Sequence, residues 1–289
     1  MNFTKMQGAG NDFILVETSD DRRDWSALAV AVCDRHFGVG GDGLLLVMPS
    51  SIAEFRMRLF NADGSEAEAC GNGLRCLVRY VINMGLVDAS AQEVKIETLA
   101  GVRDARLNWA GGKLAGIKVS MGKPIFKAEE IPVMLEAGAG GKLDIILDHP
   151  VIVDGEELTL SFVSMGNPHA VYFSQQPVLD FPLSRVGSGV EHHHMFPNRT
   201  NFEVAQVINR REVEARVWER GVGETLACGT GVCAVAVAAR VHGYTDSAVD
   251  IKVPGGILGV EWDGVGEVFL SGPAKVVFTG EWTSEVQLK

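Results

Sequence analysis

The chain lacks the marks of several protein classes. It has no excess of positive charge: 37 Asp and Glu outnumber 26 Lys and Arg, for a formal net charge of −11. That balance argues against nucleic acid or an anionic membrane surface as the main partner. It leaves a small anionic substrate open, because local amides and one Arg outweigh a distant field. No apolar run reaches membrane-spanning length, and the opening Met1-Asn2-Phe3-Thr4-Lys5-Met6-Gln7 has no apolar signal core. The five cysteines, Cys33, Cys70, Cys76, Cys228 and Cys233, are an odd number in a long chain, which excludes a secreted disulfide framework. No Cys/His cluster has zinc spacing, and no Cys-X-X-Cys pair or pyridoxal-binding Lys motif is present. These absences predict a reduced, soluble, cytoplasmic protein that uses no metal and no cofactor.

What is present is a usable core and a repeat. Apolar residues make up 46% of 289, and 34 glycines suit many tight turns between short strands. Two segments share one pattern. Ala69-Cys70-Gly71-Asn72-Gly73 and Ala227-Cys228-Gly229-Thr230-Gly231 each follow a strand-like stretch and precede a helix-like one. The offset that carries Cys70 onto Cys228 also carries Arg58-Leu59-Phe60 onto Arg216-Val217-Trp218, and Glu66 onto Glu224. Gly10-Asn11-Asp12-Phe13 matches Gly166-Asn167-Pro168-His169 within two residues of that offset. So long a period means two similar domains rather than a solenoid.

Local patterns give the architecture. Asp12 to Glu17, Leu44 to Met48 and Glu54 to Phe60 read as strands, the last alternating Phe55, Met57 and Leu59 with Arg56 and Arg58. Asp24 is a plausible N-cap for a short helix through Cys33 to His36. After Cys70, Leu74, Leu77, Val78, Val81 and Ile82 recur at helical spacing until Gly85. After Cys228, Val232 to Val241 is apolar on every side, which predicts a helix wrapped by strands. Val94, Ile96 and Thr98 open a strand series. The second half repeats the scheme with strands over Val163 to Phe173, Phe202 to Ile208 and Val213 to Trp218. Helices do not alternate regularly with strands, so a doubly wound parallel sheet is excluded. The prediction is an α+β fold of two similar domains related by internal duplication, each a curled, mostly antiparallel sheet around a central helix. The expected domains are 1–120, with 273–289 returning to it, and 121–272, with the active site in the cleft between them.

A Cys at a helix start sits in the positive end of the peptide dipoles, which lowers its pKa from about 8.5. The N–H groups of Gly71, Asn72, Gly229 and Thr230 precede the first helical acceptor and can bind a carboxylate. Two such thiols on opposite sides of one α-carbon suit inversion: one removes the proton from one face, the other delivers a proton to the opposite face. The charge that develops beside the carboxylate is stabilised by the helix ends. Cys70 and Cys228 are therefore the expected acid/base pair. Cys33, Cys76 and Cys233 fall in apolar helical runs and read as small buried hydrophobes.

The chain resembles the diaminopimelate epimerase family over nearly its whole length. The likeness runs through Phe3 to Phe13, Phe37-Gly-Val-Gly-Gly-Asp42-Gly43, Phe60-Asn61-Ala-Asp63-Gly64-Ser65, the two cysteine segments, Gly166-Asn167-Pro168-His169-Ala170-Val171, Phe196-Pro197, Arg199-Thr-Asn201 and Trp218-Glu219-Arg220-Gly221. The resemblance implies cofactor-independent interconversion of LL- and meso-2,6-diaminopimelate, on the route to lysine and peptidoglycan, and suggests a homodimer. It implies polar substrate contacts from Asn11, Asn61, Asn167, Asn201 and Arg220, with Glu219 near an ammonium. It implies that His169 and Glu219 support the reacting centre and that Gly71, Asn72, Gly229 and Thr230 hold the reacting carboxylate. A substrate with two ammonium and two carboxylate groups needs donors and acceptors, which Asn combines in one side chain and Arg220 completes as a fork. Two departures stand out. Some family members carry Gln where this chain has Gly43, and Phe202 stands where a smaller residue is expected.

The same residues bear on other functions. A proline or hydroxyproline racemase would also use two cysteines before Gly-rich turns, but it needs an apolar ring pocket rather than several Asn and an Arg. A thiol–disulfide oxidoreductase lacks its Cys-X-X-Cys spacing here. A non-catalytic amino-acid-binding protein would need no second thiol. His192-His193-His194 reads as the exposed end of a helix-like segment rather than a metal site.

Overall fold

The computed structural model describes residues 1–68, 70–88, 90–135 and 145–283. In chain order the first elements are β1 (Asn2–Gly8), β2 (Asn11–Glu17), α1 (Trp25–Cys33), β3 (Gly43–Met48), β4 (Phe55–Asn61) and β5 (Glu66–Ala67). There follow α2 (Gly71–Asn83), β6 (Glu93–Thr98), β7 (Gly101–Ala110), β8 (Lys113–Ser120), β9 (Ile146–Val153), β10 (Glu156–Ser164) and β11 (Pro168–Phe173). The rest are α3 (Leu183–Glu191), β12 (Asn201–Asn209), β13 (Glu212–Glu219), β14 (Gly223–Thr225), α4 (Gly229–Val241), β15 (Ala248–Val253), β16 (Gly256–Glu261), β17 (Phe269–Ser271) and β18 (Lys275–Glu281). The chain divides into two units. One is Met1–Ser120 with the stretch from Ser271 onward, and the other is Met121–Leu270.

In the first unit the strands run β18, β1, β2, β3, β4, β6, β7, β8 by direct pairing. Only β2–β3 and β4–β6 are parallel, because a helix intervenes in the chain between each of those pairs. The sheet curls around α2, which touches β1, β2, β3, β4, β7, β8 and β18. Leu74, Cys76, Leu77, Val78 and Val81 are therefore buried on all sides. Gly85 ends the run in the left-handed region at φ 70°. Helix α1 packs outside, against β3 and β4, and Asp24 caps it by accepting the Ala27 N–H at 2.9 Å. It stops at Cys33, short of His36, because Asp34 turns its carboxylate onto the N–H groups of His36 and Phe37.

The second unit repeats this plan. Its strands run β9, β10, β11, β12, β13, β15, β16, again antiparallel apart from β11–β12 and β13–β15. Helix α4 lies inside the curl and α3 outside, against β12, β13 and β14. The apolar run of α4 is buried from Gly231 to Ala239, as its lack of a polar face requires. The stretch Val163 to Phe173 is not one strand. Gly166 adopts φ 94° and folds the chain back, so β10 and β11 form a hairpin with Ser164 opposite Pro168. Two short strands, β5 and β14, were not legible as periodic segments, since two or three residues carry no period. Among the described residues, no helix is long and apolar enough to cross a membrane.

Candidate active-site residues

Each unit delivers one cysteine to the start of its buried helix in the same way. A guanidinium on the strand before it forks onto a carboxylate on the next short strand. Arg58 binds Glu66 at 2.7 and 2.9 Å, and Arg216 binds Glu224 at 2.9 and 3.0 Å. These half-buried, bidentate pairs tie β4 to β5 and β13 to β14. They fix the tight return that leads into Cys70 and Cys228. Both cysteines are N-caps in extended conformation, and each sulfur accepts the third helical N–H, from Gly73 or Gly231, at 3.4 Å. The first helical acceptors are the carbonyls of Cys70 and Cys228, taken by Leu74 and Val232. The N–H groups of Gly71, Asn72, Gly229 and Thr230 thus have no helical acceptor, as an anion site needs.

The second glycine of each motif has a definite cause. A Cβ on Gly73 would come within 3.2 Å of Leu45 Cδ1, and one on Gly231 within 2.7 Å of Glu203 Oε1. Leu45 and Glu203 occupy matching places on β3 and β12, beneath the helix starts. On the adjoining strands Phe13 and His169 also occupy matching places, opposite Gly43 and Asn201.

Around Cys70 the structure gathers Asn11 and Asn72. Asn11 donates Nδ2 to Asp42 Oδ2 at 2.6 Å, which turns its Oδ1 toward the helix. That oxygen accepts Asn72 Nδ2 at 3.4 Å and faces the Cys70 thiol at 3.9 Å. Asn72 is fixed from the other side by the fully buried Arg75, 2.6 Å from its Oδ1. Arg35 clamps Asp42 and Asp12 together, and Lys5 also pairs with Asp12 at 2.6 Å. Despite the desolvation that opposes ionisation, the hydrogen bonds from Arg35 and Lys5 hold the Asp12 carboxyl down at about 2. Asn61 is exposed and bonds Ser65 Oγ at 2.9 Å, outside this group. Gly43 has no room for a side chain: a Cβ would sit 2.9 Å from the Phe60 carbonyl oxygen.

Around Cys228 the environment is polar but closed. The sulfur lies 3.4 Å from Thr230 Oγ1 and is nearly inaccessible. Burial first, then the charge of Glu219, pushes this thiol well above its ordinary pKa; the Thr230 hydroxyl and Gly231 N–H pull the other way and lose. The expected lowering by the helix start is thus reversed at Cys228. The physical reason is desolvation: a helix end is worth a fraction of a charge, while removal from water acts on the whole thiolate. Glu219 accepts the Thr225 hydroxyl at 2.6 Å. His169 lies in a buried chain, with Nδ1 2.7 Å from Glu203 Oε1 and Nε2 3.0 Å from Asn167 Oδ1.

Asn201 and Arg220 come together, but through the backbone. Asn201 Nδ2 donates to the Pro168 carbonyl at 2.8 Å, and its Oδ1 accepts the Arg220 N–H at 2.9 Å. Asn201 is a buried brace between β11 and the end of β13. The Arg220 side chain is exposed and reaches the Asn198 carbonyl at 3.1 Å. Glu191 completes the support by accepting Trp218 Nε1 at 2.7 Å and the Gly221 N–H at 2.9 Å. Sequence reading missed Asp42, Arg75, Glu191 and Glu203. The matching offset could have flagged Glu203, because a Glu stands there against a Leu in an otherwise apolar strand.

Cys33, Cys76 and Cys233 are buried in the core, and burial raises the Cys33 and Cys76 thiols to about 12. His192 follows α3 as its exposed C-cap, and His194 is also exposed.

Comparison with known proteins narrows the chemistry. A family model described as "Diaminopimelate epimerase" matches residues 3–127 and 161–277. A protein named diaminopimelate epimerase from Moorella thermoacetica is 49% identical over 98% of this chain and 99% of its own length. Another of that name from Methanococcus maripaludis is 44% identical over 97% and 99%. Among solved structures, a hydroxyproline epimerase from Agrobacterium vitis superposes with a TM-score of 0.69 at 14% identity, covering 97% of this chain and 90% of that one. A phenazine biosynthesis protein of the PhzF family from Bacillus anthracis gives 0.67 at 17%, covering 98% and 99%. The structural matches share the fold of two similar domains; at such identity they carry nothing about substrate.

Proposed function

The chain belongs to the diaminopimelate epimerase family, and on that footing we propose that it interconverts LL- and meso-2,6-diaminopimelate with two cysteines and no cofactor. One observation carries the reading: in each unit a Cys caps a buried helix and leaves two N–H groups beside it without a helical acceptor. Inversion requires both thiols to reach one α-carbon from opposite faces. A thiolate takes the α-proton, the C–H electron pair passes into the carbon and its carboxylate, and the second thiol delivers its proton to the other face. Burial and the charge of Glu219 favour the protonated form of Cys228, so it begins as the donor and Cys70 begins as the base. After one turnover the roles are exchanged, and the reverse reaction runs from there.

The helix-start amides of Gly71, Asn72, Gly229 and Thr230 are suited to hold the reacting carboxylate and the charge that develops beside it. The exposed fork of Arg220 suits the distal carboxylate, and Glu219 and Asn11 Oδ1 offer acceptors to ammonium groups. Asn201 braces β11 and β13 through its Oδ1 and one Nδ2 hydrogen, which sets the Arg220 backbone and leaves the second Nδ2 hydrogen to offer a ligand. A pair of working thiols suits a reducing, cytoplasmic setting.

The test is incubation of LL-diaminopimelate in heavy water. Deuterium should enter the α-carbon as the meso form appears, while proline under the same conditions should keep its configuration. Absence of both exchange and inversion in wild-type protein, kept reduced, would overturn the reading.

A further inference from the structure

The second unit buries an acid that the proton transfer described above does not use. Glu203 on β12 is completely inaccessible, as is His169 beside it on β11. Glu203 Oε1 lies 2.7 Å from His169 Nδ1, while Oε2 is buried and has no hydrogen-bond partner among the described residues. At the other edge of the ring, His169 Nε2 lies 3.0 Å from Asn167 Oδ1. Both ring nitrogens therefore face oxygen. Asn167 Oδ1 only accepts, so Nε2 carries a hydrogen. The proton at the short Nδ1–Oε1 contact then belongs either to the carboxyl or to the ring.

The two arrangements differ in charge separation. A carboxylate and imidazolium would leave one oxygen of a buried anion without any partner, and such an oxygen is costly in a water-free interior. A neutral carboxyl and neutral imidazole leave only an uncharged carbonyl unpaired. Burial also raises the Glu203 pKa, against the pull of His169. The neutral form is the one this surrounding supports.

We propose that Glu203 is a positioning residue: its protonated carboxyl donates to His169 Nδ1, fixes the Nε2–H tautomer, and through that hydrogen bond turns the Asn167 amide nitrogen away from His169 and toward substrate. The relay does two things. It selects which end of the Asn167 amide is offered, a donor rather than an acceptor. It also keeps the space under the Cys228 helix start free of net charge, so that a thiolate can form there against Glu219 alone. The first unit has no such relay, because Leu45 and Phe13 occupy the matching positions. Both consequences rest on the proposed function, the first on Asn167 meeting substrate and the second on Cys228 moving a proton; the tautomer stands independently of it.

The test has one arm that needs no turnover. Nitrogen-15 NMR of the intact chain, with the His169 signals assigned from a His169→Gln variant, reports ring protonation directly. His169 should be a single neutral tautomer with its hydrogen on Nε2. An imidazolium signal, or the Nδ1–H tautomer, would overturn the proposal. The second arm compares Glu203→Gln with Glu203→Leu. The amide can still donate to Nδ1, so Glu203→Gln should keep the Nε2–H tautomer and kcat within about threefold of wild type. Glu203→Leu, which copies the first unit, should lose the tautomer preference and lower kcat by about tenfold or more. Equal activity in the two variants, with both folded, would also overturn it. If wild-type protein fails to epimerise while the NMR result holds, the functional reading has failed and the relay has not.

Discussion

The two units place a cysteine on a helix start by the same mechanics and then surround it with opposite chemistry. Beneath the helix start of Cys70 lies Leu45, and the adjoining strand carries Phe13 opposite Gly43; at the places that correspond, the second unit has Glu203 and His169. Asn61 at the end of β4 is answered by Glu219 at the end of β13. Polar support reaches Cys70 from outside the helix, through Asn11 and the partly exposed Asp42–Arg35 clamp. Around Cys228 it comes from beneath and is sealed from water. Duplication supplied two equal scaffolds, and divergence at a few strand positions left one thiol partly exposed and the other buried, with its pKa pushed up by desolvation. A reaction that needs one acid and one base at rest gains from such inequality.

The largest test of this comparison removes the sulfurs. Cys70→Ala and Cys228→Ala should each lower turnover by about 100- to 10,000-fold, the range for a lost proton-transfer group, with unchanged circular dichroism. A variant within tenfold of wild type would break the idea that the helix starts act as a pair.

The glycines sharpen it. Gly231→Ala forces a methyl against a carboxyl oxygen pinned by His169, whereas Gly73→Ala meets the end of a leucine at a longer distance. Urea unfolding should show a loss of about 1–3 kcal/mol for Gly231→Ala and roughly 1 kcal/mol or less for Gly73→Ala. Equal losses would mean that the two floors yield equally.

The smallest effect is in alkali. The Cys228 pKa is raised on folding, so its stabilising contribution is complete below the unfolded thiol value of about 8.5 and is lost as pH rises above it. Cys33 and Cys76, raised to about 12, act in the same direction. Wild-type stability should decline above about pH 8.5, and Cys228→Ala should decline less steeply by the share of one thiol. Identical slopes would show that Cys228 titrates alike in folded and unfolded chains.

Much of this molecule was legible in its residues. The offset joining the two cysteine segments, with Arg58/Arg216 and Glu66/Glu224 inside it, announced the duplicated scaffold, and the structure shows why: those pairs are the forks that set each turn. The buried helices were readable because Cys70 and Cys228 precede, in one, apolar positions at helical spacing and, in the other, a run that is apolar on every side. The hairpin of β10 and β11 was not, since Met165-Gly166-Asn167 sits inside an apolar stretch and only the φ of Gly166 reveals the reversal. Glu203 and Asp42 were hidden for another reason. Their partners lie 34 and 31 residues away, and register, not local pattern, brings them together. The thiol of Cys228 was misjudged because a helix start is visible in sequence and burial is not.

Strand β18 pairs with β1 along most of its length, and Trp282 donates its N–H to the Met1 carbonyl at 2.8 Å. A ribosome makes Met121–Leu270 as one uninterrupted stretch before it makes the strand that lies against β1. The Cys70 half therefore lacks its final edge until the distal strand is made, so the earlier-born half of the polypeptide must wait for residues near the far end of the chain.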